Sequence, residues 1–530
     1  MKELKSLTAG AGRPGFARWA GAVLGGALLL ALPAAPASAE DGLLNRLCAG
    51  CHEADANGGL SRIKGQRKTP EGWLMTIVRM RLFHGLDITG DEQRQLVREL
   101  SETNGLAPSE TADFRYILER NPSTVEALDQ QMGEMCARCH SGARVALQRR
   151  TAEEWSLHVD FHVGQWPTIE YQALGRDREW FKIAKTEVAP KLAEAYPFET
   201  DAWTAWKMAP RADVRGDWVF TTRLPGVGET YGRMTVSGDA EPYTVIGSVV
   251  GANGNWTPMQ GKVSVYTGYE WRAAVTIAGE KFSQVLMLGD KGGSLTGRQF
   301  LTDEDPLGGS FQAAKVGAGS RVLGIVPSAV RSGGTATVQV VGADLANPTV
   351  TGPVQPAGIG FNNFGFALNL QSAPGANAKV AVSGAGWTTD LAVYGKADVI
   401  KVEPGYTIAR VGGGGGRTPP VKAMFMAVGY WAGPDGQPGT PDDIRIGEVP
   451  ANWAVEPFDA TAEELKDVKY AGTMDAVSGI FTPGPAGPNP ERPFSTNNAG
   501  NLKIVADSGG MRGEGQLIVT VQRWNDPPIR

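Results

Sequence analysis

The pentapeptides CAGCH (Cys48–His52) and CARCH (Cys136–His140) hold all four cysteines of the chain. Each places two thiols around a two-residue spacer and an imidazole directly after the second thiol. Cysteines at this spacing can hold zinc, close a disulfide or run thiol redox chemistry. Zinc would draw both motifs onto one ion and leave two histidines over. A disulfide gives no reason for a histidine after each second cysteine. A thioredoxin-like site needs a βαβ setting that is lacking here. Cys-X-X-Cys-His is, instead, the spelling for covalent haem c: two thiols add across the vinyl groups and the imidazole is held beneath the iron. Two complete copies point to two haem c groups, attached at Cys48 and Cys51 and at Cys136 and Cys139, with His52 and His140 as proximal iron ligands.

The opposite ligands are suggested by an internal repeat. KTPEGWLMTIVRM (Lys68–Met80) aligns without gaps to RTAEEWSLHVDFH (Arg150–His162), matching Thr69 with Thr151, Glu71 with Glu153 and Trp73 with Trp155. Both read as helices capped by threonine, with an acid in the first turn. Seven residues after each tryptophan, two turns along one face, stand Met80 and His162. The expected pairs are His52/Met80 and His140/His162. His84 lies one turn beyond Met80, and His158 one turn before His162, so each is an alternative on the same face. Met75, Met132 and Met135 read as packing residues. Methionine ligation raises a haem's potential relative to two histidines, so electrons would run from the second haem to the first and leave there. Trp155, Trp166, Trp180, Trp203, Trp206 and Trp218 either wall the second haem or belong to ordinary core.

All five histidines and all four cysteines fall before residue 163, in a stretch that reads as helical. GDEQRQLVRELSE (Gly90–Glu102) has Leu96, Val97 and Leu100 at helical spacing behind leading acids. Ahead of it, Lys2, Lys5, Arg13 and Arg18 precede an apolar run (Gly21–Leu32) and the small residues Ala37–Ala39. That is a secretory signal, and the run is too short for a membrane anchor. Losing its net +3 takes the formal charge from −5 to −8, which leaves no electrostatic footprint for nucleic acid. An exported protein, periplasmic in a two-membrane cell, is expected, with no membrane span after cleavage.

Beyond about residue 210 the period changes to two. KVSVYTGYEWRAAVTI (Lys262–Ile277) alternates, turns at Gly279–Glu280 and resumes in FSQVLML. TATVQVVG, AKVAVSG, DLAVYG, NLKIVADS and GQLIVTVQRW continue the pattern, and Gly324–Leu345 resembles the opening of an immunoglobulin-like domain. The fold class expected is therefore multidomain: an α-helical dihaem cytochrome c domain followed by three mainly antiparallel β domains, of barrel or sandwich type. The divisions are 1–39 (signal), 40–208 (dihaem), 209–318 (barrel-like), 319–397 (immunoglobulin-like) and 398–530 (C-terminal sandwich). Val411–Pro420 reads as a flexible, glycine-rich loop. Asp435, Asp442 and Asp443 sit among turn residues without EF-hand spacing, so a hairpin loop is favoured there over a calcium site.

Taken together, the two motifs, RTAEEWSLHVDFH, DREWFKIAKTEVAPKLAEAYPFET, VYTGYEWRAAVTI and the immunoglobulin-like modules resemble the α subunit of quinohaemoprotein amine dehydrogenase over essentially the whole mature chain. The resemblance implies a periplasmic heterotrimer with a β-propeller subunit and a small subunit bearing cysteine tryptophylquinone. It implies oxidation of primary amines to aldehydes with release of ammonia. The quinone then passes electrons to this dihaem subunit and on to a small cytochrome c or copper protein. With every cysteine committed to haem, this chain has none for the quinone, and no catalytic residue is assigned to it. Two other classes stay open on residues alone: a dihaem peroxidase with one displaceable axial ligand, and a stand-alone electron carrier with β binding modules.

Overall fold

The computed structural model describes residues 42–170, 178–251, 254–415 and 418–522; the signal read at 1–39 lies outside them. Helices open the described chain where the sequence carries their start and stop signals. α1 (Leu43–Cys48) leads into the first motif. α2 (Pro70–His84) starts from Thr69, whose hydroxyl accepts the Gly72 N–H, and ends on Gly85 at φ 72°. α3 (Gly90–Thr103) begins with a complete Thr89/Glu92 capping box and buries Leu96, Val97 and Leu100. α4 (Gln130–Met135) leads into the second motif. α5 (Ala152–Gln165) starts from Thr151, whose hydroxyl accepts the Glu154 N–H, and α6 (Ala189–Ala195) and α7 (Asp201–Met208) follow.

The repeat pairs with itself. β1 (Gln66–Lys68) and β2 (Gln148–Arg150) run antiparallel, with Gln66 opposite Arg150, Arg67 opposite Arg149 and Lys68 opposite Gln148. Gln66, Arg67 and Lys68 hold the same repeat positions as Gln148, Arg149 and Arg150. This register therefore sets a local two-fold axis between Arg67 and Arg149. Neighbouring contacts obey it. Trp73 Nε1 donates to the Asn104 carbonyl at 2.9 Å and Trp155 Nε1 to the Tyr196 carbonyl at 3.1 Å. The N–H groups of Lys68 and Arg150 reach the same two carbonyls at 3.0 and 3.4 Å. Arg79 and Phe161, also equivalent, meet each other, the guanidinium 5.3 Å from the ring centroid. One carboxylate serves both halves: Glu110 accepts a forked pair from Arg67 (2.8 and 2.9 Å) and lies 3.1 Å from Arg149 Nε.

β3 (Gly216–Leu224), β4 (Gly228–Ser237), β5 (Tyr243–Gly251), β6 (Trp256–Tyr266), β7 (Glu270–Ile277), β8 (Glu280–Leu288), β9 (Ser294–Leu301) and β10 (Glu304–Lys315) form a closed antiparallel barrel. Trp218, Phe220, Trp271 and Phe311 fill its interior. The alternating run Lys262–Ile277 is not one strand: Thr267 and Gly268, at φ 55° and 74°, fold it into the β6–β7 hairpin. Three residues, Thr267, Gly268 and Tyr269, separate the paired Tyr266 and Glu270, and an odd-numbered loop preserves the parity of the alternation. Val263, Val265, Tyr269, Trp271 and Ala273 all face the barrel core, so the break leaves no mark in the pattern. The next turn falls at Ala278–Gly279 (φ 53° and 85°), one residue earlier than Gly279–Glu280.

The β6–β7 tip joins barrel to helices. The Thr267 N–H donates to Glu102 at 2.6 Å, its hydroxyl to the Ser101 carbonyl at 3.3 Å, and Tyr269 Oη to the Leu106 carbonyl at 3.1 Å. Arg272 of β7 pairs with Glu71 of α2 at 2.6 Å, both buried. Gly105 is required at this seam, because a Cβ there would lie 2.2 Å from the Ser101 carbonyl oxygen.

The rest is β structure. Strands between residues 321 and 394 make two four-stranded sheets around Phe366, Leu368, Val380 and Trp387. Those between 399 and 520 make sheets of three, four and three strands around Phe481, Leu502, Ile504 and Leu517. The loop carrying Asp435, Asp442 and Asp443 connects two paired strands, Met426–Trp431 and Ile444–Glu448. Its carboxylates accept from the loop's own N–H groups, from Thr440 and from Lys401. Among the described residues no helix is long and apolar enough to cross a membrane.

Candidate haem sites

Each motif hangs from the end of a short helix. At the first, the His52 and Cys51 N–H groups return to the Cys48 carbonyl at 2.9 and 3.1 Å, which curls the pentapeptide and exposes Cys51 while Cys48 stays half-buried. Cys48 packs with Trp73, Ile77 and Leu100. Burial, followed by the Glu99 and Cys51 charges, pushes its thiol up to about 11. At the second, the Cys136 N–H closes α4 on the Met132 carbonyl. Burial, with Asp129 adding to it, pushes that thiol up to about 12. No disulfide joins the four cysteines, and among the described residues no three His, Cys, Asp or Glu side chains converge. Cys48 and Cys136 pack in separate clusters, so the two motifs do not meet at a shared four-sulfur zinc centre.

The two motif histidines are oriented alike. His52 Nδ1 lies 2.8 Å from the Ser61 carbonyl and His140 Nδ1 lies 2.9 Å from the Ser141 carbonyl. A carbonyl partner fixes the proton on Nδ1 and leaves Nε2 as a lone-pair donor, which is how a ligating imidazole is held. His162 shows the same arrangement, its Nδ1 2.7 Å from the His158 carbonyl one turn back.

His140 and His162 line one cavity. It has a volume of about 210 Å³, opens to solvent at its mouth, and is walled by Cys136, Cys139, His158, Trp155, Trp180 and Val159 among others. The Cys136 and Cys139 thiols and the His140 and His162 imidazoles thus open onto a single space. His158 lines it as well, its ring 4.6 Å from that of His162 and edge-to-face with it. Burial, and then the charge of Arg150, push the His158 pKa well down; burial also lowers that of His162. Burial thus favours the neutral form of both imidazoles. Trp155, Trp166 and Trp180 belong to the wall. Trp203 instead lies under Arg67, Trp206 packs against the barrel core, and Trp218 is inside it. Met75, read from sequence as packing, borders this cavity with Gly72, Thr76 and Arg79.

α2 thus has two working faces. Gly72, Met75, Thr76 and Arg79 look onto the second cavity, whereas Trp73 and Ile77 pack with α1, which carries Cys48. Met80 follows Ile77 by one turn, is half-buried, and precedes the Gly85 cap, whose N–H returns to the Met80 carbonyl. His84 is exposed at the last position of the helix. The cavity-facing side of α2 and the Arg79–Phe161 contact are long-range features that no local sequence signal announces.

A helical unit that carries two Cys-X-X-Cys-His motifs and a repeat paired across a local two-fold, fused to a β-barrel and further β sheets, fits a haem-binding subunit. Residues 38–203 match the family described as Quinohemoprotein amine dehydrogenase A, alpha subunit, haem binding. Residues 211–316 and 400–529 match alpha subunit domains II and IV of the same protein. The chain belongs to the quinohaemoprotein amine dehydrogenase α-subunit family. No curated protein matches it. Similar solved structures include a de novo designed fluorescence-activating beta barrel (18% identity, 19% of this chain and 88% of that one, TM-score 0.16). They also include domains 5–6 of the S-layer protein SbsC (12% identity, 38% and 100% covered, TM-score 0.16). The zebrafish RET cadherin-like domains 1 to 4 are a third (10% identity, 61% and 68% covered, TM-score 0.17). At these TM-scores none of the three bears on function.

Proposed function

We propose that this chain is the dihaem electron-transfer and scaffold subunit of a periplasmic amine dehydrogenase, exported by its signal at residues 1–39. Bound haems would supply one-electron transfer between a partner subunit's tryptophylquinone, where primary amines become aldehydes and ammonia, and a soluble cytochrome or copper protein. The observation that carries the reading is the shared cavity: Cys136, Cys139, His140 and His162 open onto one space of haem-like chemistry.

The chain's own residues have definable tasks. Cys48 and Cys51, and Cys136 and Cys139, would hold the two groups by thioether bonds, and the carbonyls of Ser61 and Ser141 aim Nε2 of His52 and His140 at the metal positions. His162, aimed by the His158 carbonyl, completes the second site; Met80, one turn beyond the packed Ile77, completes the first. Trp155, Trp180 and Val159 keep water from the second site. The division into segments 40–208, 209–318, 319–397 and 398–530 assigns the β modules to holding this unit against a β-propeller subunit and the quinone-bearing subunit.

The test is purification from the native source. A stable complex with a small quinone-staining chain, and two haems per copy of this chain by pyridine haemochrome, supports the proposal. Isolation as a monomer, or peroxidase turnover at an open iron, contradicts it.

A further inference from the structure

Arg150 closes β2 and lines the second cavity, with only 3% of its surface exposed. Its Nε and Nη2 both donate to Gln148 Oε1, at 3.0 and 2.8 Å. Its Nη1 is buried without a hydrogen-bond acceptor. The nearest carboxylate oxygen, Glu154 Oε2, is 3.7 Å away and already accepts from Arg62 at 3.1 Å and Gln66 at 2.9 Å. One carboxylate therefore faces two guanidiniums, and a strongly basic side chain that stays charged in proteins is left short of counter-charge.

Its relatives in the repeat are better served. Arg149, next to it, has Glu110 at 3.1 Å. Lys68, its equivalent across the local two-fold, donates to Thr76 Oγ1 at 2.8 Å; it lies over Trp73 as Arg150 lies over Trp155. Among the described residues the wall is cationic: Lys68, Arg79, Arg138 and Arg144 share it with Arg150, against Glu134, which is bound to Arg178 at 2.5 Å. A haem brings two propionate carboxylates, and a guanidinium paired with a carboxylate is the strong, charge-assisted form of hydrogen bond.

We propose that Arg150 pairs with a propionate of the haem attached at Cys136 and Cys139 and, through that pair, raises its reduction potential. The inference rests on the haem reading above. Arg150 is a positioning residue: it orients the group and stabilises the reduced state, while Gln148 holds the other edge of its guanidinium.

The test uses the complete chain with its haems attached. Spectroelectrochemical titration resolves the potential of each haem, and resonance Raman reads the propionate bending band. Arg150→Gln should lower the potential of the second haem and shift its propionate band, leaving the first haem unchanged; Arg150→Lys should restore most of the potential but not the band. Unchanged potential and band in an Arg150→Gln protein that holds two haems overturns the proposal. If that variant fails to assemble, Arg150→Lys decides: a band identical to wild type overturns it. Fewer than two haems in the wild-type chain would instead sink the haem reading itself, whatever Arg150 does.

Discussion

Removing the charge of Glu110 should loosen the helical unit at its two-fold. This carboxylate is buried, takes both Nη atoms of Arg67 and the Nε side of Arg149, and also accepts from Thr200 Oγ1 at 3.0 Å and the Ala107 N–H at 2.8 Å. In Glu110→Gln two buried guanidiniums lose their common counter-ion, a change that costs about 3–5 kcal/mol. With a guanidinium slope of roughly 4 kcal/mol/M, the midpoint should fall by on the order of 1 M. The assay is guanidinium unfolding of the whole chain read at the haem Soret band, so that the β modules do not contribute. Burial alone would raise the Glu110 pKa, but the Arg67 hydrogen bonds, the Ala107 N–H and the charges of Arg67 and Arg149 outweigh it and hold the group below the usual range. A depressed pKa contributes stability above the unfolded value of about 4.3, lost as pH falls through the folded value. The gap between wild type and variant should accordingly narrow in acid. Adding Arg149→Met should recover part of the loss, a coupling of about 1–3 kcal/mol. A midpoint shift below roughly 0.3 M, the range of an exposed pair, would refute the reasoning.

Trp73→Phe and Trp155→Phe should each cost about 1–3 kcal/mol, because each leaves an equivalent carbonyl, of Asn104 or Tyr196, without its indole donor; thermal unfolding read at the Soret band should show near-equal losses, and unequal ones would break the two-fold argument. Glu71→Gln should destabilise the helix–barrel seam by about 3–5 kcal/mol, since Arg272 loses its closest partner there. Glu270→Gln should instead be neutral or stabilising at neutral pH. Burial raises the Glu270 pKa, so stability is lost as pH rises from the unfolded value towards the raised one, and the glutamine variant should flatten that slope in a melting series across pH. Gly105→Ala should lower the melting temperature, because its Cβ would overlap the Ser101 carbonyl; an unchanged melt would show that the seam is not tightly packed.

That the first part of the chain belongs to a haem-binding domain was legible in the sequence, because haem attachment needs a fixed local spelling; the repeat was legible because Thr69/Thr151 and Trp73/Trp155 keep their spacing in both copies. The threonine caps followed from local rules and stand at the observed helix starts. The two-fold itself was not legible: the pairing of β1 with β2 joins residues 80–84 positions apart, and the repeat gives no hint that its copies touch. Tryptophan type alone did not separate Trp155 and Trp180, at the cavity, from Trp206 and Trp218, at the barrel. The β6–β7 hairpin was hidden because its three-residue loop keeps inward residues in phase. Arg150 was invisible for a related reason, since whether a cation has its counter-charge depends on partners far along the chain.

The most direct test is the visible and near-infrared spectrum of Met80→Ala and His162→Ala in the oxidised, two-haem chain. The account predicts that Met80→Ala removes the methionine–iron charge-transfer band alone, and that His162→Ala turns the second haem from low-spin to high-spin while the first is untouched. If both spectra match wild type, or if His84→Ala and His158→Ala produce these changes instead, the assignment of axial ligands from the repeat is contradicted.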